Sequence, residues 1–181
     1  KIASDFLGIS YSHSFNLPIT IIRPFNTFGP RQSGRAIIPS ILIQVLSGQK
    51  KVKLGNLKPT RDFCFVDDTT EAFYKSLVTK NNISGKVINI ATGYEVSIGE
   101  ICEYIKKFTK NEFSIVAEKQ RIRKKSSEIE RLLGSNTRAK KILNWKPQYY
   151  KKKGFCLGLK KTIEWFNDDE NLSRYKKIYN L

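Results

Sequence analysis

The sequence has few residues of the types that hold metals or form disulfide frameworks. It contains one histidine, His13, and three cysteines among 181 residues. Cys64, Cys102 and Cys156 follow no metal-ligand spacing, and His13 has no cysteine or second histidine nearby. We therefore predict no metal site. An odd number of cysteines without a framework is typical of a reducing cytoplasm, which is the expected location.

Long apolar segments are also lacking. No run of apolar residues approaches the roughly 20 residues that a membrane-spanning helix needs. The first residues, Lys1 to Asp5, lack the apolar region of a secretory signal peptide. These absences predict no membrane partner and no secretion. The length is sufficient for one sizeable hydrophobic core.

Helix and strand patterns alternate along the chain, which predicts an α/β fold. Several helix ends have cap signals: Gly48 at a carboxyl end, Asp67 or Asp68 at an amino end, and Ser97 with Glu100 as a capping box. The predicted helices span residues 1–15, 36–47, 67–80, 97–108, 136–143 and 154–167, and the predicted strands span 17–23, 51–54, 63–66, 86–90 and 113–117.

The most informative segment is the run Arg23-Pro24-Phe25-Asn26-Thr27-Phe28-Gly29-Pro30-Arg31. It follows a short apolar segment, residues 18–22, which is typical of a buried strand. Open α/β sheets bind ligands at the carboxyl ends of their strands, and a loop with an amide and arginines can present polar groups there. The segment therefore indicates a ligand site just after this strand.

Five segments resemble motifs of the extended short-chain dehydrogenase/reductase family, the NAD-dependent sugar-nucleotide epimerases and 4,6-dehydratases. The first is the run from Arg23 to Arg31, which is similar to the family's Arg-Pro-Phe-Asn-x-Tyr-Gly-Pro. The others are Arg61-Asp62-Phe63-Cys64-Phe65-Val66-Asp67-Asp68, Asn89-Ile90-Ala91-Thr92-Gly93, Leu143-Asn144-Trp145-Lys146-Pro147, and the segment from Gly158 to Phe166. All five occur in the family's order, so the resemblance covers essentially the whole chain.

The resemblance implies the C-terminal portion of a Rossmann-type parallel sheet with a smaller α/β substrate-binding domain. Residues 1–35 would end the dinucleotide-binding domain. Residues 36–167 would form mostly the substrate-binding domain, with interleaved returns to the sheet, and residues 168–181 a polar tail. The Gly-rich fingerprint G-x-G-x-x-G does not occur in the sequence. We therefore expect the C-terminal part of a longer enzyme, inactive as these 181 residues alone.

The resemblance assigns catalysis to Lys1, which stands where the family has the lysine of its Tyr-x-x-x-Lys pair. A lysine four residues after a tyrosine on a helix lowers the pKa of the phenol, so that the tyrosine can accept a proton. The tyrosine would precede this chain. The resemblance also assigns Lys1 and Pro24 to cofactor binding, with NAD as the expected cofactor and NADP as the alternative.

Three residues are assigned by resemblance to the substrate, a nucleotide-diphosphate sugar. Asn26 would contact the diphosphate with its amide, and Arg61 and Arg123 with their guanidinium groups, which donate two hydrogen bonds at once to phosphate oxygens. Lys124 stands where the family's Arg-Pro pattern has its proline. That departure leaves Arg121 as the alternative to Arg123.

The charge balance has two interpretations. The net charge is +17, and the stretch from Lys119 to Lys161 holds fifteen Lys or Arg residues against two acids. Such a surplus can mark a nucleic-acid-binding surface. It can also reflect a lysine-rich surface with a pocket for a pyrophosphate. Aromatic residues do not alternate with the basic ones as base-stacking platforms require. The sequence therefore favours the second interpretation, and no nucleic-acid partner is expected.

The resemblance is closest to bacterial 4,6-dehydratases acting on substrates of the UDP-N-acetylglucosamine type. Such an enzyme oxidises C4 of the sugar, eliminates water and returns the hydride to C6. The alternatives are a 4-epimerase, a non-catalytic sugar-nucleotide-binding fragment and, least favoured, a nucleic-acid-binding protein. The resemblance also implies a homodimer for the intact protein.

Overall fold

The computed structural model describes residues 1–121 and 127–175 of the chain. Helices and strands alternate through it, which confirms the predicted α/β class. The helices are α1 (Ile2–Phe15), α2 (Ile37–Leu46), α3 (Val66–Val78), α4 (Ile98–Thr109), α5 (Thr137–Leu143), α6 (Lys151–Phe166) and α7 (Asp169–Ser173). The strands are β1 (Ile21–Pro24), β2 (Asn26–Phe28), β3 (Lys51–Leu54), β4 (Thr60–Phe65), β5 (Val87–Ile90), β6 (Glu95–Ser97), β7 (Ser114–Ala117) and β8 (Arg131–Leu132).

Within residues 1–121 and 127–175, the strands form three small sheets in which parallel pairing dominates. β1 pairs with β5, and β3 pairs with β7, both in parallel. β4 is the centre of the third sheet: it runs parallel to β2 and β8 and antiparallel to β6. Parallel pairs need long crossovers, and helix α2 lies between β2 and β3 along the chain while α3 lies between β4 and β5.

In the described part of the chain, buried side chains form two hydrophobic clusters. The larger one joins β2 and β4 to helices α2, α4 and α6, and its members include Phe28, Leu42, Phe65, Ile101 and Phe155. The smaller one lies beside β5 and consists of Cys64, Ala72, Ile88, Ile90, Ala139, Leu143 and Trp145. Alternate residues of β4 contribute to the two clusters, so this strand is fixed from both sides.

Two of the predicted caps are present. Ser97 accepts the Glu100 N–H at 3.1 Å, and the Glu100 carboxylate accepts the Ser97 N–H at 2.9 Å, which is the expected capping box at the start of α4. Gly48 follows α2 with a φ of 81°. This left-handed backbone favours glycine, so the helix ends where the sequence predicts.

The predicted cap at Asp67 or Asp68 is wrong. Helix α3 begins at Val66, and no side chain caps it. The Asp68 carboxylate instead accepts the backbone N–H groups of Gln148 and Tyr149, at 2.8 and 2.9 Å. A contact with a distant loop therefore replaces the local one, and burial raises the pKa of Asp68 above its ordinary value.

The first predicted strand is shorter than expected and a second one follows it. β1 begins at Ile21 and not at residue 17, and Asn26 lies in β2 and not in a loop. Pairing with β4 explains the extra strand, since Asn26 is in register with Phe63. Strands β6 and β8 were also not predicted, because each is held mainly by its neighbour β4.

Helix α1 presents several apolar side chains to solvent. Ile2, Phe6 and Phe15 are 74%, 67% and 64% exposed. Within the described residues, no helix is both long enough and apolar enough to cross a membrane.

Candidate functional site

A pocket of about 440 Å³ opens beside the central strand β4. Its walls come from the beginning of β2, from Arg61 and Phe63 of β4, from the start of α2, from the turn after β3, and from residues 120–121 and 128. Asn26 and Arg61, two of the predicted substrate-binding residues, both line it. The parallel pairing of β2 with β4 brings these residues together, although they lie 35 positions apart in the sequence.

Arg61 lies largely buried in this pocket. Its Nη1 donates to the Thr60 carbonyl oxygen at 2.9 Å, and its Nη2 lies 3.3 Å from Oε1 of Glu128. The side chains of Arg61 and Glu128 are only 14% and 15% exposed. Water therefore screens this ion pair less than a surface pair. Since Arg61 has five N–H donors, the two contacts orient the guanidinium and leave donors for a ligand.

Asn26 lies at the start of β2, next to Arg61. Its Nδ2 donates to the Asp62 carbonyl oxygen at 3.2 Å. This bond joins the side chain to β4 and fixes the orientation of the amide. Among the described residues its amide oxygen has no partner, so it can accept a hydrogen bond from a ligand.

Asp62 anchors the strand that carries Arg61. Its carboxylate is fully buried and accepts four donors: the Thr92 N–H and hydroxyl at 2.9 and 2.7 Å, the Gly93 N–H at 2.9 Å, and the Gly134 N–H at 3.3 Å. These bonds join β4 to the segment after β5 and to the segment after β8. The sequence alone predicts no role for Asp62, although it is the second residue of the Arg-Asp motif.

Arg121 also lines the pocket, whereas Arg123 lies outside the described residues. The Nη1 of Arg121 donates to the Ser40 hydroxyl at 2.9 Å, and its Nε donates to Glu118. The hydrogen bond from Arg121 to the Glu118 carboxylate lowers the pKa of Glu118 below its ordinary value. The assignment of the diphosphate to Arg123 stays a prediction.

The lining residues that were not predicted as site residues include Gln32, Arg35 and Glu128. Gln32 follows the Gly-Pro-Arg end of the first motif, and Glu128 is one of only two acids in the basic stretch from residue 119 to residue 161.

Lys1 and Pro24 do not line this pocket. Lys1 is exposed at the amino end of α1, and Pro24 is the last residue of β1. An ion pair of 2.6 Å between Arg23 and Asp5 joins the two elements. The assigned roles of Lys1 and Pro24 stay predictions.

Comparison with known proteins decides the family. The family model described as GDP-mannose 4,6 dehydratase matches residues 1–155. The chain belongs to this family. The resemblance to sugar-nucleotide epimerases and dehydratases is therefore confirmed.

Relatives of the GDP-mannose 4,6 dehydratase family have several activities. A UDP-N-acetyl-alpha-D-glucosaminuronate decarboxylase of Bacillus cytotoxicus is 31% identical over 183 residues, covering 94% of this chain and 53% of the relative. A dTDP-D-glucose 4,6-dehydratase of Homo sapiens is 27% identical, covering 98% of this chain and 49% of the relative. The chain spans about half the length of the curated relatives it matches.

A solved structure shows the same fold. The UDP-glucuronic acid 4-epimerase of Bacillus cereus, in complex with UDP-glucuronic acid and NAD, superimposes with a TM-score of 0.80 and 25% identity. The match covers 91% of this chain and 50% of the epimerase. The expected Rossmann-like architecture with parallel sheets is therefore confirmed.

Proposed function

We propose that this chain binds the diphosphate of a sugar nucleotide, as part of an NAD-dependent 4,6-dehydratase. The observation that carries the proposal is that Arg61 and Asn26 line one pocket beside β4. Sequence reasoning assigned both residues to the same ligand. Relatives include a dTDP-D-glucose 4,6-dehydratase and a UDP-glucuronic acid 4-epimerase, and both are named after sugar nucleotides.

The groups in the pocket suit a diphosphate. A phosphate oxygen accepts hydrogen bonds, and charge-assisted bonds from a guanidinium are shorter and stronger than neutral ones. Arg61 is held by Thr60 and Glu128, so little side-chain freedom remains to be lost on binding. Asn26 adds a neutral amide next to it. Its oxygen would accept from a hydroxyl of the ligand, because a diphosphate offers no donor.

The residues of this chain could bind only part of a dinucleotide cofactor. Lys1 and Pro24 lie at the amino end of α1 and the carboxyl end of β1. The sequence has no G-x-G-x-x-G turn, which is the usual cradle of a dinucleotide pyrophosphate. When bound, NAD or NADP would supply the hydride acceptor for oxidation at C4 of the sugar. In the intact protein, Lys1 would hold its tyrosine partner ready to accept the proton of the C4 hydroxyl.

A 4-epimerase is the second candidate, because the Bacillus cereus enzyme of the same fold has this activity. Both reactions begin with diphosphate binding and oxidation at C4. The intact protein would be a homodimer by resemblance, and the exposed Ile2 and Phe6 of α1 offer apolar area for that contact.

Binding measurements on the 181-residue chain test the proposal. Isothermal titration would use UDP-glucose, dTDP-glucose and GDP-mannose, and the tightest binder would then be titrated against variants. We expect Arg61→Gln to weaken binding by about tenfold or more, since charged hydrogen bonds to a ligand are lost. Arg131→Gln is the matched control, because Arg131 also pairs with a glutamate, Glu95, but lies outside the pocket. It should change affinity by less than about twofold.

Two results would contradict the proposal: no binding of any sugar nucleotide by the unaltered chain, or equal affinities of the Arg61→Gln and Arg131→Gln variants. Strongly salt-dependent binding of single-stranded DNA that Asn26→Ala leaves unchanged would support the nucleic-acid alternative instead.

A further inference from the structure

A hollow of about 720 Å³ lies beside β5, and this β5 hollow shares no lining residue with the pocket beside β4. Four cations from three separate segments line it: Arg23 of β1, Lys86 just before β5, and Arg138 and Lys141 of α5. Among the described residues that line it, none is an Asp or a Glu. The β5 hollow is therefore more positive than the pocket beside β4, which Glu128 also lines.

Neutral backbone groups hold two of these cations in place. Arg138 donates through Nη1 to the Val87 carbonyl oxygen at 2.7 Å, and Lys86 donates through Nζ to the Asn82 carbonyl oxygen at 2.5 Å. A carbonyl oxygen orients a cation without cancelling its charge. An arginine has five N–H donors and a lysine has three, so both side chains keep donors for a ligand. Less side-chain freedom is then lost when a ligand binds.

The other two cations add charge at the same place. The Nε of Arg23 donates to the Asp5 carboxylate at 2.6 Å, so that charge is partly offset. Lys141 makes no hydrogen bond or ion pair within residues 1–121 and 127–175. Like charges that converge on one hollow repel each other. An anion bound between them would replace this repulsion with attraction.

The neutral residues of the β5 hollow narrow the kind of anion. The hydroxyls of Ser135 and Thr137 lie 3.0 Å apart. One of them donates to the other, so at least one hydroxyl hydrogen remains for a ligand. The Asn89 side chain also lines the hollow and can donate through its amide. Phosphate oxygens accept from cations, hydroxyls and amides alike.

Size and composition favour a small molecule over a nucleic acid. The described lining residues include no aromatic side chain, so the bases of a single strand would find no ring on which to stack. A hollow of about 720 Å³ is within the range of small-molecule sites and is larger than one phosphate requires. Several phosphate groups on one compact molecule would use both the volume and the four charges.

We propose that the β5 hollow is a second ligand site, which binds a small anion with several phosphate groups. The four cations supply the attraction, and the anchored guanidinium of Arg138 fixes the position of one phosphate group through its remaining N–H donors. The inference does not depend on the function proposed above, because the two sites have no lining residue in common.

Amide NMR chemical shifts of the 181-residue chain test the site, because they report where a ligand binds. The probes are inorganic phosphate, pyrophosphate and tripolyphosphate. We expect shift changes at residues 86–89 and 135–142, and an affinity that rises by about tenfold or more from phosphate to tripolyphosphate. ATP carries the same triphosphate on a nucleoside. Equal binding of ATP and tripolyphosphate would identify the phosphates as the recognised group, and tighter binding of ATP would identify a nucleotide as the source.

Two neighbouring lysines of α5 give a matched pair of variants. We expect Lys141→Gln to weaken tripolyphosphate binding by about threefold to fivefold. Lys140→Gln is the control, because Lys140 is also exposed but does not line the hollow, and it should change the affinity by less than about 1.5-fold. Arg138→Gln together with Lys141→Gln should weaken binding by about tenfold or more. The amide spectrum of each variant shows whether it is folded.

Three results would overturn the inference: shift changes confined to the pocket beside β4, no binding of tripolyphosphate at about 10 mM, or equal losses from Lys140→Gln and Lys141→Gln. A single-stranded oligonucleotide that shifts the same amides at far lower concentrations would assign the hollow to nucleic acid instead. The chain could still fail to bind any sugar nucleotide while tripolyphosphate shifts residues 86–89, so the two proposals can fail separately.

Discussion

Replacing Asp62 with asparagine should lower the free energy of unfolding more than any conservative change on the surface of the protein. The carboxylate is fully buried. One of its oxygens accepts the Thr92 N–H and hydroxyl, and the other accepts the N–H groups of Gly93 and Gly134. An asparagine keeps only one acceptor oxygen. Its NH2 group would face two of these donors, which leaves buried donors without partners.

The expected loss follows from these contacts. A hydrogen bond to a charged group contributes roughly 1.5–3 kcal/mol, so two lost bonds cost about 3–6 kcal/mol. Part of this loss is offset, because the amide no longer places a charge in the protein interior. We therefore expect the free energy of unfolding to fall by about 3 kcal/mol. That is a large part of the stability of a typical domain.

Equilibrium unfolding in urea at neutral pH, followed by the fluorescence of the buried Trp145, measures this loss. Asp67→Asn is the matched control, since the side chain of Asp67 is 59% exposed. It should change the free energy of unfolding by no more than about 0.5 kcal/mol. A loss below about 1 kcal/mol for Asp62→Asn would refute the reasoning, because it would mean that the four donors find other partners.

Gly134→Ala should destabilise the protein by about 1–3 kcal/mol in the same assay, because a Cβ there would lie 2.4 Å from Ala91 and 2.7 Å from Phe25. Gly99→Ala is the control and should not destabilise the protein in this way, because its Cβ would lie no closer than 3.6 Å to any neighbouring atom. Burial raises the pKa of Asp68 above its ordinary value of about 3.8, so the folded state holds this proton more tightly than the unfolded state. As pH rises from about 3.8 through the raised pKa, the unfolding free energy should therefore fall. Unfolding curves should show this decline in the unaltered chain and a smaller one in Asp68→Asn.

The order of local patterns along the chain was sufficient for the fold class and the family. The alternation of helix and strand, the capping box of Ser97 with Glu100, and five motifs in sequence are features of neighbouring residues. Nearby side chains and backbone groups decide such features, so they can be recognised without knowing what packs against them. Asn26 and Arg61 were predicted as site residues in the same way, and the structure places both in one pocket.

The strands held mainly by distant partners could not be predicted in this way. β8 has two residues, and it pairs with β4 across more than 65 positions of sequence. β2 begins at Asn26, where the sequence suggested a loop, because β4 offers hydrogen-bond partners there. Strand formation depends on such neighbours more than on intrinsic preference.

The sequence by itself determined the fold class and the family and predicted candidate site residues, and the tertiary structure decided what those residues contact. Arg61 meets Glu128 across 67 positions, and Asp62 meets Gly134 across 72. Asp68 binds a loop 80 positions away and not its own helix. Each contact depends on chain segments that only folding brings together.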